Sequence, residues 1–176
     1  MKVIFLDIDG VMNSVRSFIA TSRGKRKFDT IDEREAATID PIAVALINEV
    51  VERTGAEIVV SSTHRQWFIK AGVKDIPGLR VYMKNLGIEK EILDCTDVLH
   101  TQRGHEIKDW LDRHAKFVIA YVIIDDDSDM LPEQFEFFID TDCNDGFMFE
   151  HFIKAIEILK EKDNVVLAQV ETLGRI

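Results

Sequence analysis

The chain has 176 residues, which corresponds to one domain, and with 46% hydrophobic and 31% charged residues it is of ordinary globular composition rather than disordered or fibrous. An excess of 32 acidic over 22 basic residues gives a net charge of −10 and disfavours binding of nucleic acid or anionic membranes by the whole surface. Two cysteines are too few for a disulfide framework, and no apolar run reaches the ~20 residues of a membrane helix, so we expect a cytoplasmic protein.

The predicted elements alternate between strand and helix. Residues 2–7 are a short apolar run that ends in acids and a glycine, typical of a buried strand that stops at a turn. Asp40 and Pro41 predict the start of a helix that ends at Gly55. Further along, the same signals predict strands at 57–60, 117–124 and 135–139, an edge strand at 165–168, and helices at 65–71, near 79–86, at 106–114 and at 147–160. Unbroken apolar strands separated by helices predict a mostly parallel sheet covered on both faces.

Polar side chains follow three of these strands, at the edge of the sheet where ligands of such folds bind. They are Asp7 and Asp9, then Ser61 and Ser62, then Asp125 and Asp126. A single acid at a strand end is commonly only a turn former, but clustered carboxylates repel one another unless a cation lies between them. Oxygen ligands suit Mg²⁺, which is commonly bound together with a substrate phosphate. The sequence therefore predicts a Mg²⁺ site that acts on a phosphate ester.

The first strand end has the residues for hydrolysis in two stages. Asp7 beside a metal can attack phosphorus and form an aspartyl phosphate. Asp9 lies two residues on, so its side chain points to the same side of the strand, and it can protonate the leaving oxygen and then deprotonate the attacking water. Gly10 allows the backbone to turn tightly past the site.

The strand ends resemble three motifs of the haloacid dehalogenase (HAD) superfamily in the right order. The motifs are residues 5–11 (FLDIDGV), 60–62 (VSS) and 123–126 (IIDD). The resemblance spans residues 3 to about 160 and implies a three-layer α/β/α Rossmann-like fold with a mostly parallel sheet and a small cap insertion after the first strand. Dehalogenation is disfavoured because Asp9 is the second carboxylate that phosphatases of the superfamily add.

A narrower resemblance is to a small HAD group found in phage and RNA-repair proteins. It is carried by residues 61–65 (SSTHR), 103–111 (RGHEIKDWL) and 145–147 (DGF). In that group and in its polynucleotide 3′-phosphatase relatives, the substrates are phosphorylated nucleic-acid ends. The resemblance therefore implies RNA or DNA ends as partners.

The resemblance also implies roles for the acids. Asp7 would be the nucleophile and a Mg²⁺ ligand, and Asp9 the acid/base that also offers its backbone carbonyl to the metal. Asp126 would complete the metal shell, with Asp125 beside it.

The second and third motifs each have two candidate residues in this sequence. Ser61, or alternatively Ser62, would hydrogen-bond the transferring phosphoryl group. The third motif requires a Lys or Arg that offsets charge at the nucleophile, for which Arg103 is the first choice and Lys108 the second. Either of these two could instead be a solvated helix residue.

Residues 14–28 contain five bases and no acid. The bases are Arg16, Arg23, Lys25, Arg26 and Lys27. Within a single domain with a core at 1–13 and 40–162 and an extension at 163–176, residues 14–39 are expected to be a short flap that leaves the site open. The bases could bind oligonucleotide phosphates, with Phe18 or Phe28 stacking on a base. Alternatively, they are solvated and balance the acids that follow.

The chain beyond the second strand contains four further residues whose roles the sequence suggests. Arg65 could bind a substrate phosphate through its planar guanidinium, or it could be an exposed first-turn residue. His64 is the histidine closest to the predicted site and is a candidate substrate contact. Trp67 and Trp110 lie among apolar positions and are predicted to be core residues.

The most specific function that these features support is a Mg²⁺-dependent phosphatase acting on nucleotides or on nucleic-acid 3′-phosphate ends. Three alternatives remain open: a metal-dependent nuclease, a catalytically idle nucleotide-binding protein, and a phosphatase of small metabolites. The sequence lacks a Gly-x-x-x-x-Gly-Lys phosphate loop, so a kinase activity is not expected from it.

Overall fold

The computed structural model describes residues 1–22 and 38–160, with the side chains of residues 21 and 22 left out. Its strands are β1 (Lys2–Leu6), β2 (Glu57–Val60), β3 (Ile69–Lys70), β4 (Val73–Lys74), β5 (Asp94–Cys95), β6 (Ala120–Asp125) and β7 (Phe138–Asp140). Its α-helices are α1 (Val15–Ser22), α2 (Pro41–Thr54), α3 (Ile76–Asn85), α4 (Arg103–His114) and α5 (149–160), and two 3₁₀ helices span Thr63–Phe68 and Pro132–Phe137. The predicted edge strand at 165–168 and the four bases from Arg23 to Lys27 lie outside the described residues.

Five strands form one parallel sheet in the order β5-β2-β1-β6-β7. Alternate side chains of β1 enter two separate apolar clusters, because successive strand residues point to opposite faces. Val3 and Phe5 pack with α4, whereas Ile4 and Leu6 pack with α2, α3 and α5. The fold is therefore the predicted three-layer α/β/α arrangement.

Local signals explain where the helices begin and end. The Asp40 side chain accepts a hydrogen bond from the Ile42 amide at 2.9 Å and caps α2, which ends at Gly55 with φ of 68°. Asp75 caps α3 in the same way through the Gly78 amide at 3.0 Å. This cap starts the helix at residue 76 instead of near residue 79.

Three segments differ from their predicted secondary structure. The strand predicted at 117–124 begins only at Ala120 and ends at Asp125. The segment predicted as a helix at 65–71 is a 3₁₀ helix that Ser62 caps, followed by the antiparallel pair β3-β4. Gly72, with φ of 79°, forms the turn of that pair and does not end a helix. Residues 135–137 belong to the second 3₁₀ helix, so the strand predicted at 135–139 begins only at Phe138.

Candidate active site

The strand register brings the polar strand ends to the same edge of the sheet. Leu6 is paired with Val60 on one side and with Ile124 on the other. The next residues along, Ser61 and Asp125, therefore lie beside Asp7. Backbone bonds continue the ladder there, with the Asp7 amide 3.0 Å from the Ile124 carbonyl oxygen.

Three carboxylates form a cluster at this edge. Asp7, Asp125 and Asp126 each have an oxygen within 4.8 Å of the others. Burial raises the pKa of all three, and the charge of Asp7 further raises the pKa of Asp125 and of Asp126. One buried carboxylate oxygen of Asp125 has no hydrogen-bond partner among the described residues. A hard cation fits this donor set, because it would neutralise the carboxylates and bind the oxygen that has no hydrogen bond.

Gly10 leaves the space that Asp126 occupies. Its φ is 67°, a backbone conformation that residues with a side chain rarely adopt. A Cβ added at Gly10 would lie 2.1 Å from Asp126 Oδ2, far inside van der Waals contact. The glycine of the first motif is thus required both by the turn and by the third carboxylate.

Among the described residues, Arg103 is the cation that lies at the cluster. Its Nη1 atom is 3.3 Å from Asp7 Oδ1 and 3.6 Å from Asp125 Oδ2. It is the first residue of α4, and its backbone amide donates to Asp129 Oδ2 at 2.8 Å. This bond fixes the end of the helix against the acidic loop that follows β6.

Lys108, the second choice, is directed elsewhere. Five residues along an α-helix correspond to a rotation of about 140° beyond one turn, so Lys108 lies on another face of α4 from Arg103. It is exposed at the surface and pairs with Asp112 at 2.7 Å, which raises the pKa of Lys108. The alternative that placed Lys108 in the third motif does not fit this geometry.

Of the two serines, Ser62 is the one that bonds the nucleophile candidate. Burial raises the pKa of Asp7, and the charge of Arg103 and a hydrogen bond from the Ser62 side chain oppose that rise. Ser61, the first choice, is wholly buried, and its hydroxyl has no partner within the described part of the chain.

Asp9 is held apart from the three clustered acids. Its side chain is 60% exposed. Asn13 Nδ2 donates to its Oδ1 at 2.7 Å, and His64 Nε2 lies 3.0 Å from its Oδ2. The hydrogen bond with His64 lowers the pKa of Asp9. The other ring nitrogen of His64 is 2.7 Å from the Tyr82 hydroxyl, so a Tyr82–His64–Asp9 chain orients this carboxylate.

Arg65 does not lie where a substrate could contact it, which corrects both expectations for this residue. It is 1% exposed, and all five N–H groups of its guanidinium are used. Their acceptors are the backbone carbonyls of Ser61, Ser62, Thr96 and Asp97 and the side chain of Glu106. Arg65 therefore stabilises the backbone that carries the two serines, and it has no donor left to bind a phosphate.

Of the five bases in the insertion, Arg16 is described. Its guanidinium pairs with Asp40 at 2.8 Å and donates to the Asp145 carbonyl at 3.1 Å. It thus ties α1 to the start of α2 and to the loop before α5.

The two tryptophans differ. Trp110 is fully buried and packs edge-on against Phe5, which confirms the core prediction for it. Trp67 is 54% exposed, so the core prediction for it is wrong. Its ring stacks on His64 with centroids 4.4 Å apart. The spacing of His64 and Trp67 could have predicted this contact, because residues three apart lie on the same face of a 3₁₀ helix. No local pattern could have predicted that Tyr82, which belongs to α3, lies beside them.

The parallel sheet, its three layers and the acids at its strand ends define a HAD-type domain. The family described as "HAD domain in Swiss Army Knife RNA repair proteins" matches residues 3–152, and the chain belongs to this family. A search of the curated proteins and a search of the solved structures gave no match. The family supports a HAD-type phosphohydrolase activity. In the described residues, none of the helices is long and apolar enough to cross a membrane.

Proposed function

We propose that this protein is a Mg²⁺-dependent phosphomonoesterase that removes phosphate from nucleotides or from nucleic-acid 3′ ends through an aspartyl phosphate on Asp7. The observation that carries the proposal is the cluster of Asp7, Asp125 and Asp126, with Arg103 and Ser62 both bonded to Asp7. The RNA-repair proteins for which the family is named favour a nucleic-acid substrate over a sugar phosphate.

Asp7, Asp125 and Asp126 would hold the metal, and the room that Gly10 leaves beside Asp126 suits this arrangement. Bound Mg²⁺ would offset the charge of the carboxylates and of the substrate phosphate, which lowers the repulsion between them. Arg103 supplies a second positive charge on the same carboxylates. Its contact with Asp7 favours the ionised carboxylate that a nucleophile requires.

In the first stage, an oxygen of Asp7 forms a bond to phosphorus, and the bond from phosphorus to the ester oxygen breaks. The leaving oxygen takes a proton from Asp9. Although His64 lowers the pKa of Asp9 in the free protein, an approaching phosphate dianion raises it again and favours the protonated acid.

In the second stage, water attacks the phosphorus of the aspartyl phosphate. Asp9 is now ionised and accepts the proton from that water, and the bond from phosphorus to Asp7 breaks. Inorganic phosphate leaves and both carboxylates return to their starting state. The contacts of Asn13 and His64 hold Asp9 in place through both stages.

The experiment is a phosphatase screen with Mg²⁺ that compares a 3′-phosphorylated oligonucleotide with mononucleotides, sugar phosphates and a phosphopeptide. We expect phosphate release from the oligonucleotide or the mononucleotides, and a loss of at least about a thousandfold in Asp7→Asn, which removes the nucleophile. The matched control is Asp112→Asn on the exposed face of α4, and circular dichroism checks that both variants fold.

Each other outcome of the screen identifies an alternative. Full activity in Asp7→Asn would overturn the covalent mechanism. Cleavage inside an unphosphorylated oligonucleotide would indicate a nuclease, and preference for sugar phosphates would overturn the nucleic-acid substrate. Binding of nucleotides with no turnover of any substrate would indicate an idle nucleotide-binding protein.

A further inference from the structure

A pocket of about 380 Å³ opens beside Asp9, and the described residues that line it do not include the clustered carboxylates. Its volume lies within the range of about 300–1,000 Å³ typical of small-molecule sites. Aromatic rings from three elements line it: Phe18 from α1, His64 and Trp67 from the first 3₁₀ helix, and Tyr82 from α3. The pocket therefore joins an aromatic wall to a proposed catalytic carboxylate.

Two rings of this pocket are largely exposed, and one of them, Trp67, is held by contacts with neighbouring rings. Trp67 is 54% and Phe18 is 47% exposed, although rings of this size are normally buried. Trp67 stacks on His64 and meets the Tyr82 ring edge-on, with centroids 6.0 Å apart and planes at 79°. An exposed ring held by neighbours on its other side is a preformed surface for another flat ring.

The position of Asp9 indicates which part of a substrate would contact this aromatic surface. A general acid lies within hydrogen-bond reach of the oxygen that it protonates, and here that oxygen belongs to the leaving alcohol. With the proposed roles of Asp7 and Asp9, the leaving alcohol would lie at the Asp9 rim of the pocket, and the phosphate would lie at Asp7 and Arg103. If the alcohol is the 3′ oxygen of a nucleotide, its sugar and base lie next to the aromatic wall.

We propose, on the basis of the proposed function, that the pocket lined by Trp67, Tyr82 and Phe18 binds the base of the nucleotide that carries the phosphate. Stacking is the main interaction, so the pocket accepts all four bases and rejects a phosphate ester that lacks a base. Asn13 lines the pocket too, and its side-chain amide contacts Asp9 and the Gly10 amide. One donor and one acceptor position of this amide remain, so any preference that it adds among the bases is secondary to stacking.

The kinetic test compares two 3′-phosphorylated oligonucleotides that differ only in whether the terminal sugar carries a base. We expect the wild-type protein to show a kcat/KM roughly tenfold or more higher for the substrate with a base. Trp67→Ala should bring this ratio close to one, mainly through KM, and Trp67→Phe should retain most of it. His64 contacts both Trp67 and Asp9, so a substitution at Trp67 could also displace Asp9. A displaced Asp9 would slow both substrates alike, and the ratio of their kcat/KM values is therefore the decisive quantity.

Phe117→Ala is the matched control. Phe117 is 64% exposed and precedes β6, at the opposite edge of the sheet from the strand ends that carry the acids. We expect this variant to keep the wild-type ratio. A wild-type ratio near one, or a Trp67→Ala variant that keeps the wild-type ratio, would overturn the base subsite while leaving the phosphatase proposal intact.

A binding test separates this inference from the proposed function. In Asp7→Asn, nucleoside 3′-monophosphates of all four bases should quench the tryptophan fluorescence, and ribose 3-phosphate should quench it several times less. Adding Trp67→Phe should remove most of the response, since Trp110 is fully buried. Quenching by nucleotides with no hydrolysis in the kinetic test would support the subsite and contradict the phosphatase, whereas equal quenching by ribose 3-phosphate would overturn the subsite.

Discussion

Arg65 and Arg103 are two arginines of the same site region with opposite surroundings. Both belong to a helix that follows a strand of the parallel sheet, both have little exposed side chain, and each contacts an acid. The five N–H groups of Arg65 are all bonded, four of the acceptors being backbone carbonyls. Within the described residues, the Arg103 guanidinium makes one hydrogen bond, to Asp7.

The difference shows how an arginine that supports a site is told apart from one that acts in it. A guanidinium has five donors, and once all are satisfied by the protein it has none left for a phosphate. Arg65 instead fixes the backbone of Ser61 and Ser62, so the serines keep their positions beside Asp7. Arg103 keeps donors for a ligand oxygen and adds its charge where the reaction is proposed to occur.

The largest effect that follows from this comparison concerns stability. Arg65→Met should lower the free energy of unfolding by about 3–5 kcal/mol, because it leaves the Glu106 carboxylate buried without its partner. Four backbone carbonyls also lose a donor in this variant. Chemical denaturation monitored by circular dichroism measures the change.

Arg103→Met is the matched control for this stability change, since it removes the same side chain from the same region. With both proteins measured in saturating Mg²⁺, which would replace the lost positive charge beside Asp7 and Asp125, we expect Arg103→Met to destabilise much less than Arg65→Met, because one side-chain hydrogen bond is lost instead of five. Equal destabilisation by the two substitutions would contradict the distinction between them.

The second effect concerns activity. Arg103→Met should lower kcat/KM by about 100- to 1,000-fold, the usual loss when one donor to a developing charge is removed. Arg103→Lys should recover part of the activity, because it restores the charge but not the planar fork. Phosphate release under the conditions of the screen measures both.

Lys108→Met on the same helix is the control for charge alone. Lys108 pairs with Asp112 at the surface, so its loss should change kcat/KM by less than about twofold. A loss in Lys108→Met as large as that in Arg103→Met would restore Lys108 as the third-motif residue.

The sequence predicted the layers of the fold and the acids of the site because both depend on local patterns. Apolar runs marked β1, β2 and β6, and a parallel register necessarily aligns the ends of neighbouring strands, which carry Asp7 and Asp125. The strand β5 has two residues and was not predicted, because so short a segment has no periodicity.

The role of Arg65 could not be predicted in the same way. Its acceptors at residues 96, 97 and 106 are more than thirty positions away along the chain. The exposure of Trp67 likewise depends on how α3 places Tyr82 beside the first 3₁₀ helix. Local sequence identifies which residues are chemically capable, but only tertiary packing determines whether their donors or ring faces remain open.

The third effect concerns the metal, whose proposed ligands are the carboxylates that Arg103 contacts and Arg65 does not. Saturating Mg²⁺, at about a hundred times its dissociation constant, should stabilise the wild-type protein by about 2.7 kcal/mol. For a chain of this size, that corresponds to a rise in Tm of roughly 5–10 °C. Arg103→Met should keep or enlarge this rise, because the variant removes a competing positive charge from Asp7 and Asp125.

Asp126→Asn tests the same cluster by the opposite change. Without Mg²⁺ it should be at least as stable as wild type near pH 7, because burial and the charge of Asp7 raise the pKa of Asp126 and so oppose its ionised form in the folded protein. With Mg²⁺ its rise in Tm should be smaller, since one ligand has lost its charge. Asp142→Asn, at an exposed acid outside the cluster, should retain the full rise. An equal rise in both variants would place the Mg²⁺ site elsewhere and would leave Arg103 as the counterion of the cluster.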